Sequence, residues 1–336
     1  MDYEFRLPAG KTFLVKGWGN LPIELLAALS RVKPVIHCWV EEEDRGYLEN
    51  LCSAFGLRYL VYSQASHGQG PPRLGVMLGE EQARLKEAAA AWDRPRSNPG
   101  ELLGYPPCCT RAYWSNNYQA DSGRDDVLLD VYRNTSEPRR LPFLLNNAFY
   151  LFSRPWGNGD AQRREEICRR NPGLDMNSMN VIPWHPCSFR CQESLGKAQA
   201  IWRTMLAVLP GLSAVLKACL SKPVLFWDWS RFAVLKGSCE KERNCSYSGI
   251  QPPFSLLEPG ILELLKAGNR LVKERGWEVW RDSKRLGALP GKPVLLEFTP
   301  EWEPGPSSRK SSASGHPEAR GPHERQDPSL LTGEPG

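Results

Sequence analysis

The sequence contains no run of about 18 consecutive apolar residues, the length a membrane-spanning helix needs. Its opening segment, MDYEFRLPAGKTF, has no basic stretch leading into an apolar one. A cytoplasmic chain with no membrane partner is therefore expected. Charge of one sign is also scarce: 43 basic against 38 acidic residues leave +5 over 336 residues. That excess points only weakly to an anionic partner such as nucleic acid. A Gly-rich phosphate loop is missing, since Gly17 to Asn20 (GWGN) is too short and lacks the third glycine of a dinucleotide fingerprint. No repeat of fixed period runs through the chain, which excludes solenoids and propellers.

Cysteine, by contrast, is plentiful, at ten residues. Disulfide frameworks belong mainly to short secreted chains, so in a reducing compartment these thiols are expected to bind metal, do redox chemistry or fill the core. Cys38, Cys52 and Cys219 sit within apolar patterns and read as core thiols. Cys239 and Cys245 share the polar loop GSCEKERNCSYSG and form a possible second pair. Twelve tryptophans are many for this length, and packing accounts for most of them.

The hydrophobic pattern predicts an α/β protein, α+β overall. Residues 11–16, 34–40 and 57–63 are short runs rich in β-branched and aromatic residues, and 22–30 and 45–55 between them carry helical spacing. That order predicts a small parallel sheet in an N-terminal α/β domain, 1–97, with a further strand at 73–78 and a helix at 80–92. A turn-rich hinge, DRPRSNPG, follows at 93–100. The next domain, 98–302, is expected to be mainly helical over 109–152, irregular over 158–177, and helical again over 188–208 and 212–220. A hairpin at 224–236 turns at WDWS, a helix covers 255–274, and strands lie near 277–280 and 294–298. Residues 303–336 are rich in Pro, Gly, Ser and charge, and predict a disordered tail.

Two motifs stand out. In Gly104-Tyr-Pro-Pro-Cys-Cys109 the prolines lead into a helical stretch, placing Cys108 and Cys109 at the cap or first turn of a helix. Free amide donors and the positive end of the helix dipole favour thiolate there. In His185-Pro-Cys-Ser-Phe-Arg-Cys191, Ser188 is the expected N-cap, with Cys187 just before it and Cys191 at the third helical position. Cys187 and Cys191 can reach one ion, and His185 offers an imidazole nitrogen. A single cysteine is more often a small buried hydrophobe than a ligand. Four of them in two helix-start motifs, beside a histidine, point to one shared site. The spacing is not that of a zinc ribbon, which has a Cys-x-x-Cys in each half.

These two motifs, with Leu145-Asn146-Asn147 between them, resemble a family of archaeal and bacterial proteins catalogued as a domain of unknown function. The resemblance covers about 104–200 and implies that Cys108, Cys109, Asn146, His185, Cys187, Ser188 and Cys191 act together. The Cys-Cys pair followed by a later cysteine pair is also similar to the cysteine-rich domains of heterodisulfide reductases, which bind iron-sulfur clusters. The later pair here has three intervening residues, and no glycine follows Cys109.

Sulfur ligands favour zinc or an iron-sulfur cluster over hard ions. Adjacent cysteines are awkward on a single zinc, so an iron-sulfur cofactor is expected first and zinc as the alternative. The leading expectation is a metal-dependent redox or sulfur-chemistry enzyme acting on a small molecule. In it Cys108, Cys109, Cys187, Cys191 and His185 are ligands, and His185 and Asn146 also serve the reaction. Two alternatives are a metal-free thiol-disulfide oxidoreductase using Cys187 and Cys191, and a zinc-stabilised module that binds nucleic acid or protein.

Overall fold

A computed structural model describes residues 1–65, 73–92, 98–117, 127–137, 139–149, 160–241 and 244–300. Most of the expected hinge and the whole expected tail lie outside them. The strands β1 (Asp2–Arg6) and β2 (Thr12–Lys16) form an antiparallel hairpin. Helix α1 (Leu21–Leu29) has proline in its first turn and buries seven consecutive residues, Leu21 to Ala27. It is apolar nearly all round, as a helix enclosed by other elements must be.

Next come β3 (Ile36–Glu41), α2 (Arg45–Phe55), β4 (Arg58–Ala65), β5 (Arg73–Gly79) and α3 (Gln82–Trp92). The three strands form one sheet in the order β3-β5-β4, and both pairings are antiparallel. This corrects the parallel sheet expected from the β-α-β order. The crossover through α2 does leave β3 and β4 running in the same direction, but β5 inserts between them and pairs with both. Position explains its sequence: in RLGVMLG every residue after Arg73 is buried, because a central strand covered on both faces has no solvated side. Val76 joins the main core, whereas Met77 packs with Leu85, Ala88 and Ala89 of α3.

Helices α4 (Pro107–Asn117) and α5 (Val127–Arg133) follow, then strand β6 (Leu141–Pro142) and a 3-10 turn at Phe143–Leu145. The helical reading of 109–152 is thus too broad. Asn146 stops the helix locally, since its Oδ1 accepts from the Ala148 amide at 3.1 Å and offers the backbone an alternative partner. Conversely, the stretch read as irregular holds α6 (Asp160–Arg170). Ion pairs from Glu166 to Arg169 and Arg170 support it, and a helix carried by such pairs shows little apolar periodicity. Helices α7 (Gln192–Val208) and α8 (Pro210–Leu220) are separated only by Leu209.

The rest is one large sheet. Strands β7 (Pro223–Asp228), β8 (Arg231–Lys241), β9 (Asn244–Gln251), β10 (Arg270–Lys273), β11 (Trp277–Arg281), β12 (Lys284–Ala288) and β13 (Val294–Thr299) join β6 in the order β12-β11-β10-β9-β8-β7-β13-β6. The expected hairpin is β7–β8. Asp228 Oδ1 closes its turn by accepting from the Ser230 amide, the Ser230 hydroxyl and the Arg231 amide at 2.8–3.0 Å. The helix expected over 255–274 is shorter: α9 spans Pro259–Ala267 and gives way to β10. Gly268 marks the change, because a Cβ there would lie 2.3 Å from Val279 Cγ1.

The fold is therefore mixed α and β, with more sheet after residue 220 than the expected hairpin and two strands. All described residues belong to one compact unit. The main core runs from Tyr3 to Phe298 and draws on both sides of the boundary expected near residue 97. Among the described residues, no helix is long and apolar enough to cross a membrane.

Candidate metal centre

Two loops deliver the four cysteines. The first begins at Gly104, whose φ is +85°. A Cβ there would stand 2.7 Å from both Val32 O and Pro34 Cδ, so glycine alone lets this segment lie against α1's exit loop. Lys197 of α7 donates to the Gly104 carbonyl at 2.6 Å. Pro107 then opens α4, where proline loses nothing by lacking an amide proton. The Pro106 carbonyl accepts from the Cys109 and Thr110 amides, each at 2.9 Å. Cys108 and Cys109 thus occupy the first turn of a helix, as their motif predicts.

The second loop is an irregular run in which Val181, Ile182, Trp184, His185 and Phe189 are all buried. Its anchors are the Phe189 amide to Thr135 Oγ1 at 3.0 Å and the Arg190 guanidinium to the carbonyls of Glu137 and Arg139. Here the structure corrects the expected cap. Ser188 lies in the preceding turn, where its Oγ accepts from the Arg190 amide at 3.3 Å. Cys191 is the N-cap of α7, its sulfur accepting from the Ser194 amide at 3.5 Å. Sulfur takes the place that a Ser or Asp oxygen ordinarily fills.

Both loops converge. Cys108 Sγ lies 3.8 Å from Cys109 Sγ and 3.6 Å from Cys191 Sγ, and Cys109 Sγ lies 3.6 Å from Cys191 Sγ. With Cys187 Sγ the four sulfurs all fall within 4.8 Å of one another. Cys109 and Cys191 are buried, and Cys108 and Cys187 are half-buried at the rim. The tetrad can bind a metal ion.

The other residues expected at this site do other work. His185 stands outside the tetrad: its Nδ1 is 2.7 Å from Asn147 Nδ2, and its ring is parallel to that of Tyr113. Asn146 is buried and directs Nδ2 to the Leu220 carbonyl at 2.8 Å and Oδ1 to the Ala148 amide. It braces the backbone and points no group at the sulfurs. Three further neighbours surround the sulfurs, of which Ser194 and Glu193 escaped notice in the sequence. Ser194 Oγ is 3.1 Å from Cys109 Sγ, Trp184 Nε1 donates to Ser194 Oγ at 3.0 Å, and Glu193 Oε2 is 3.6 Å from Cys108 Sγ. Of those two, Ser194 left a trace: it falls three residues after the cap, the register of a capping box.

Like charges this close cannot all form without a cation among them. Cys191 is held far below the ordinary thiol range by hydrogen bonds from Cys109 and Cys187, with the Ser194 amide adding to them. Cys109 is pushed far up by its hydrogen bonds with Cys187 and Cys191 and by burial. Burial, followed by the bond to Cys191, raises Cys108 to about 12. Left to themselves, the four sulfurs favour one thiolate, on Cys191. Yet Cys109 Sγ already accepts from the Cys187 amide at 3.2 Å, and the Ser194 hydroxyl, 3.1 Å away, can donate to it once it is a thiolate. That arrangement suits a thiolate acceptor, which Cys109 becomes only as a metal ligand.

Away from the centre, Cys38, Cys52 and Cys219 are buried, as their patterns predict. Cys239 and Cys245 are cross-strand partners in β8 and β9 and do not belong to the tetrad. A cavity of about 450 Å³ is lined by Arg170, Asn171, Cys219, Lys236 and Phe254 among others, and by none of the four cysteines. No family model, curated protein or solved structure matches the chain.

Proposed function

We propose that Cys108, Cys109, Cys187 and Cys191 hold a single zinc ion that pins the start of α4 to the start of α7, stabilising a module whose working surface lies elsewhere. One observation carries this. Four sulfurs at bonds of about 2.3 Å around one tetrahedral ion stand about 3.8 Å apart; the three separations among Cys108, Cys109 and Cys191 are 3.6–3.8 Å, and Cys187 keeps all four within 4.8 Å. A multi-iron cluster gives each thiolate its own iron and needs its sulfurs farther apart than one ion does. One ion therefore suits these sulfurs better than an iron-sulfur cluster, and a redox enzyme built on such a cluster is not part of the proposal. The awkwardness of adjacent cysteines is relieved by the helix turn, which splays Cys108 and Cys109 to 3.8 Å.

Four protein thiolates also close the coordination sphere, as in structural sites, whereas catalytic zinc keeps a position for water or substrate. Four thiolates around a divalent ion carry a net double negative charge. The Cys187 and Ser194 amides and the Ser194 hydroxyl are placed to offset it. A nucleic-acid surface is not part of the proposal, because Arg169 and Arg170 of the basic helix α6 are both paired with Glu166.

Metal analysis of the purified chain tests this. One zinc per chain, lost together with the Cys109→Ala substitution, is the expected result. One iron per chain without sulfide would keep the one-ion centre and replace its metal. Several irons with acid-labile sulfide, or no metal after reconstitution, would overturn it.

A second reading rests on Cys191, whose lowered thiol lies 3.6 Å from Cys108 and Cys109. Its thiolate attacks a substrate disulfide and expels one thiolate, and a neighbouring thiol then displaces the second, so that substrate gains the two electrons the cysteines lose. Mass spectrometry of metal-free protein across graded redox potentials decides it: if no disulfide forms among the four, the exchange chemistry is absent.

A further inference from the structure

The four sulfurs are not equivalent, and the difference lies in a chain of side chains leading to one of them. Trp184 Nε1 lies 3.0 Å from Ser194 Oγ, which lies 3.1 Å from Cys109 Sγ. An indole nitrogen can only donate, so Ser194 Oγ accepts from Trp184. A thiolate has no proton to give. Once Cys109 binds an ion, the hydroxyl proton of Ser194 must point at its sulfur. The direction of the chain is then fixed, from Trp184 through Ser194 to Cys109.

Each member is also held in place. Trp184 is buried, and its ring packs on that of Tyr105 at 5.7 Å between centroids. Tyr105 in turn lies under the buried Lys33 ammonium, 4.5 Å from its ring centroid, and takes a hydrogen bond from it at 3.3 Å. Ser194 is wholly buried in the first turn of α7, three residues past the cap sulfur. Its amide serves Cys191 while its hydroxyl serves Cys109, so one residue touches a ligand from each loop. Cys109 also receives the Cys187 amide, whereas Cys108 lies 3.6 Å from the carboxylate of Glu193.

We infer that Ser194, oriented by Trp184, is a positioning residue of the metal centre that lowers the donor strength of Cys109 and locks it as a permanent ligand. This rests on the one-ion reading proposed above. Outer-shell partners of this kind are typically worth 10–100-fold in metal affinity.

Cobalt(II) in place of zinc makes the effect visible, because sulfur-to-cobalt charge transfer reports the electron density on the ligand. Removing a hydrogen bond from a thiolate raises its donor orbitals, so the band moves to lower energy. Ser194→Ala is expected to red-shift the band and weaken zinc binding by about 10-fold or more. Ser194→Thr, which keeps the hydroxyl, is expected to restore both. Trp184→Phe leaves the hydroxyl free to turn away and should give a smaller shift of the same sign; it serves as the test if Ser194→Ala does not fold. A folded variant that binds cobalt with the wild-type band and affinity would overturn the inference while leaving the metal centre standing. Failure of the wild-type chain to bind cobalt through sulfur would instead overturn the one-ion reading.

Discussion

Zinc should raise the stability of this protein by mass action without being required for folding. A classical zinc finger has little core and unfolds without its ion. Here the cluster that contains Cys109 and Cys191 also contains Phe5, Ile23, Phe149, Phe226 and Phe298, all fully buried. That core remains when the ion leaves. An ion that binds only the folded chain adds about 4 kcal/mol when its free concentration is a thousand times the dissociation constant. With a urea dependence of about 3 kcal/mol per molar, the unfolding midpoint should rise by about 1.4 M between chelated and zinc-buffered protein. The assay is urea unfolding by circular dichroism at several buffered zinc concentrations, with Cys109→Ala as the control that should not respond. Coincident midpoints at every zinc concentration would refute the mass-action argument. Complete unfolding in chelator would refute the claim that the core stands alone.

Three further outcomes are expected. Lys33 and Glu24 form a buried ion pair in which burial pushes the lysine down and the carboxyl up; Lys33→Met alone should cost about 3–5 kcal/mol in urea unfolding, and adding Glu24→Leu should return most of it. His37, hydrogen-bonded to Tyr62 and stacked on Trp92, has its pKa lowered to about 4 by burial and by the charge of Lys33. The folded chain therefore binds fewer protons there than the unfolded one, so stability is intact above pH 6.5 and falls by about 3 kcal/mol as pH drops towards 4; urea unfolding across that range should show this loss in wild type and not in His37→Gln. Gly104→Ala places a Cβ against Val32 O at positive φ and should cost about 1–3 kcal/mol, with reduced zinc stoichiometry, because the segment leading to Cys108 is displaced.

Local chemistry was legible wherever it is set by neighbours in the chain. The prolines before Cys108 announce the start of α4, the Asp228 turn announces the β7–β8 hairpin, and the helix at 45–55 is bounded as its apolar spacing suggests. Pairing was not legible, because it depends on strands distant in sequence. The β-α-β order of the first 65 residues is compatible with a parallel sheet, and only the insertion of β5 between β3 and β4 makes every pairing antiparallel. Likewise α6 sets one fully buried apolar residue, Ile167, among charged ones such as Glu166, Arg169 and Arg170, which leaves little hydrophobic period to read.

At the site, the sequence by itself determined that Cys108 and Cys109 lie in the first turn of one helix and that Cys187 and Cys191 lead into another, since proline placement and helix-start chemistry are local. Tertiary structure decided that the two helix starts meet, that His185 turns to Asn147 instead of the sulfurs, and that Cys191, not Ser188, caps α7. It also decided that the four sulfurs lie within 4.8 Å of one another. Metal geometry is a matter of tenths of an ångström between groups 78 or more residues apart. Such distances depend on tertiary packing, like that of Trp184 on Tyr105 and of Tyr105 against Lys33, which local sequence does not specify.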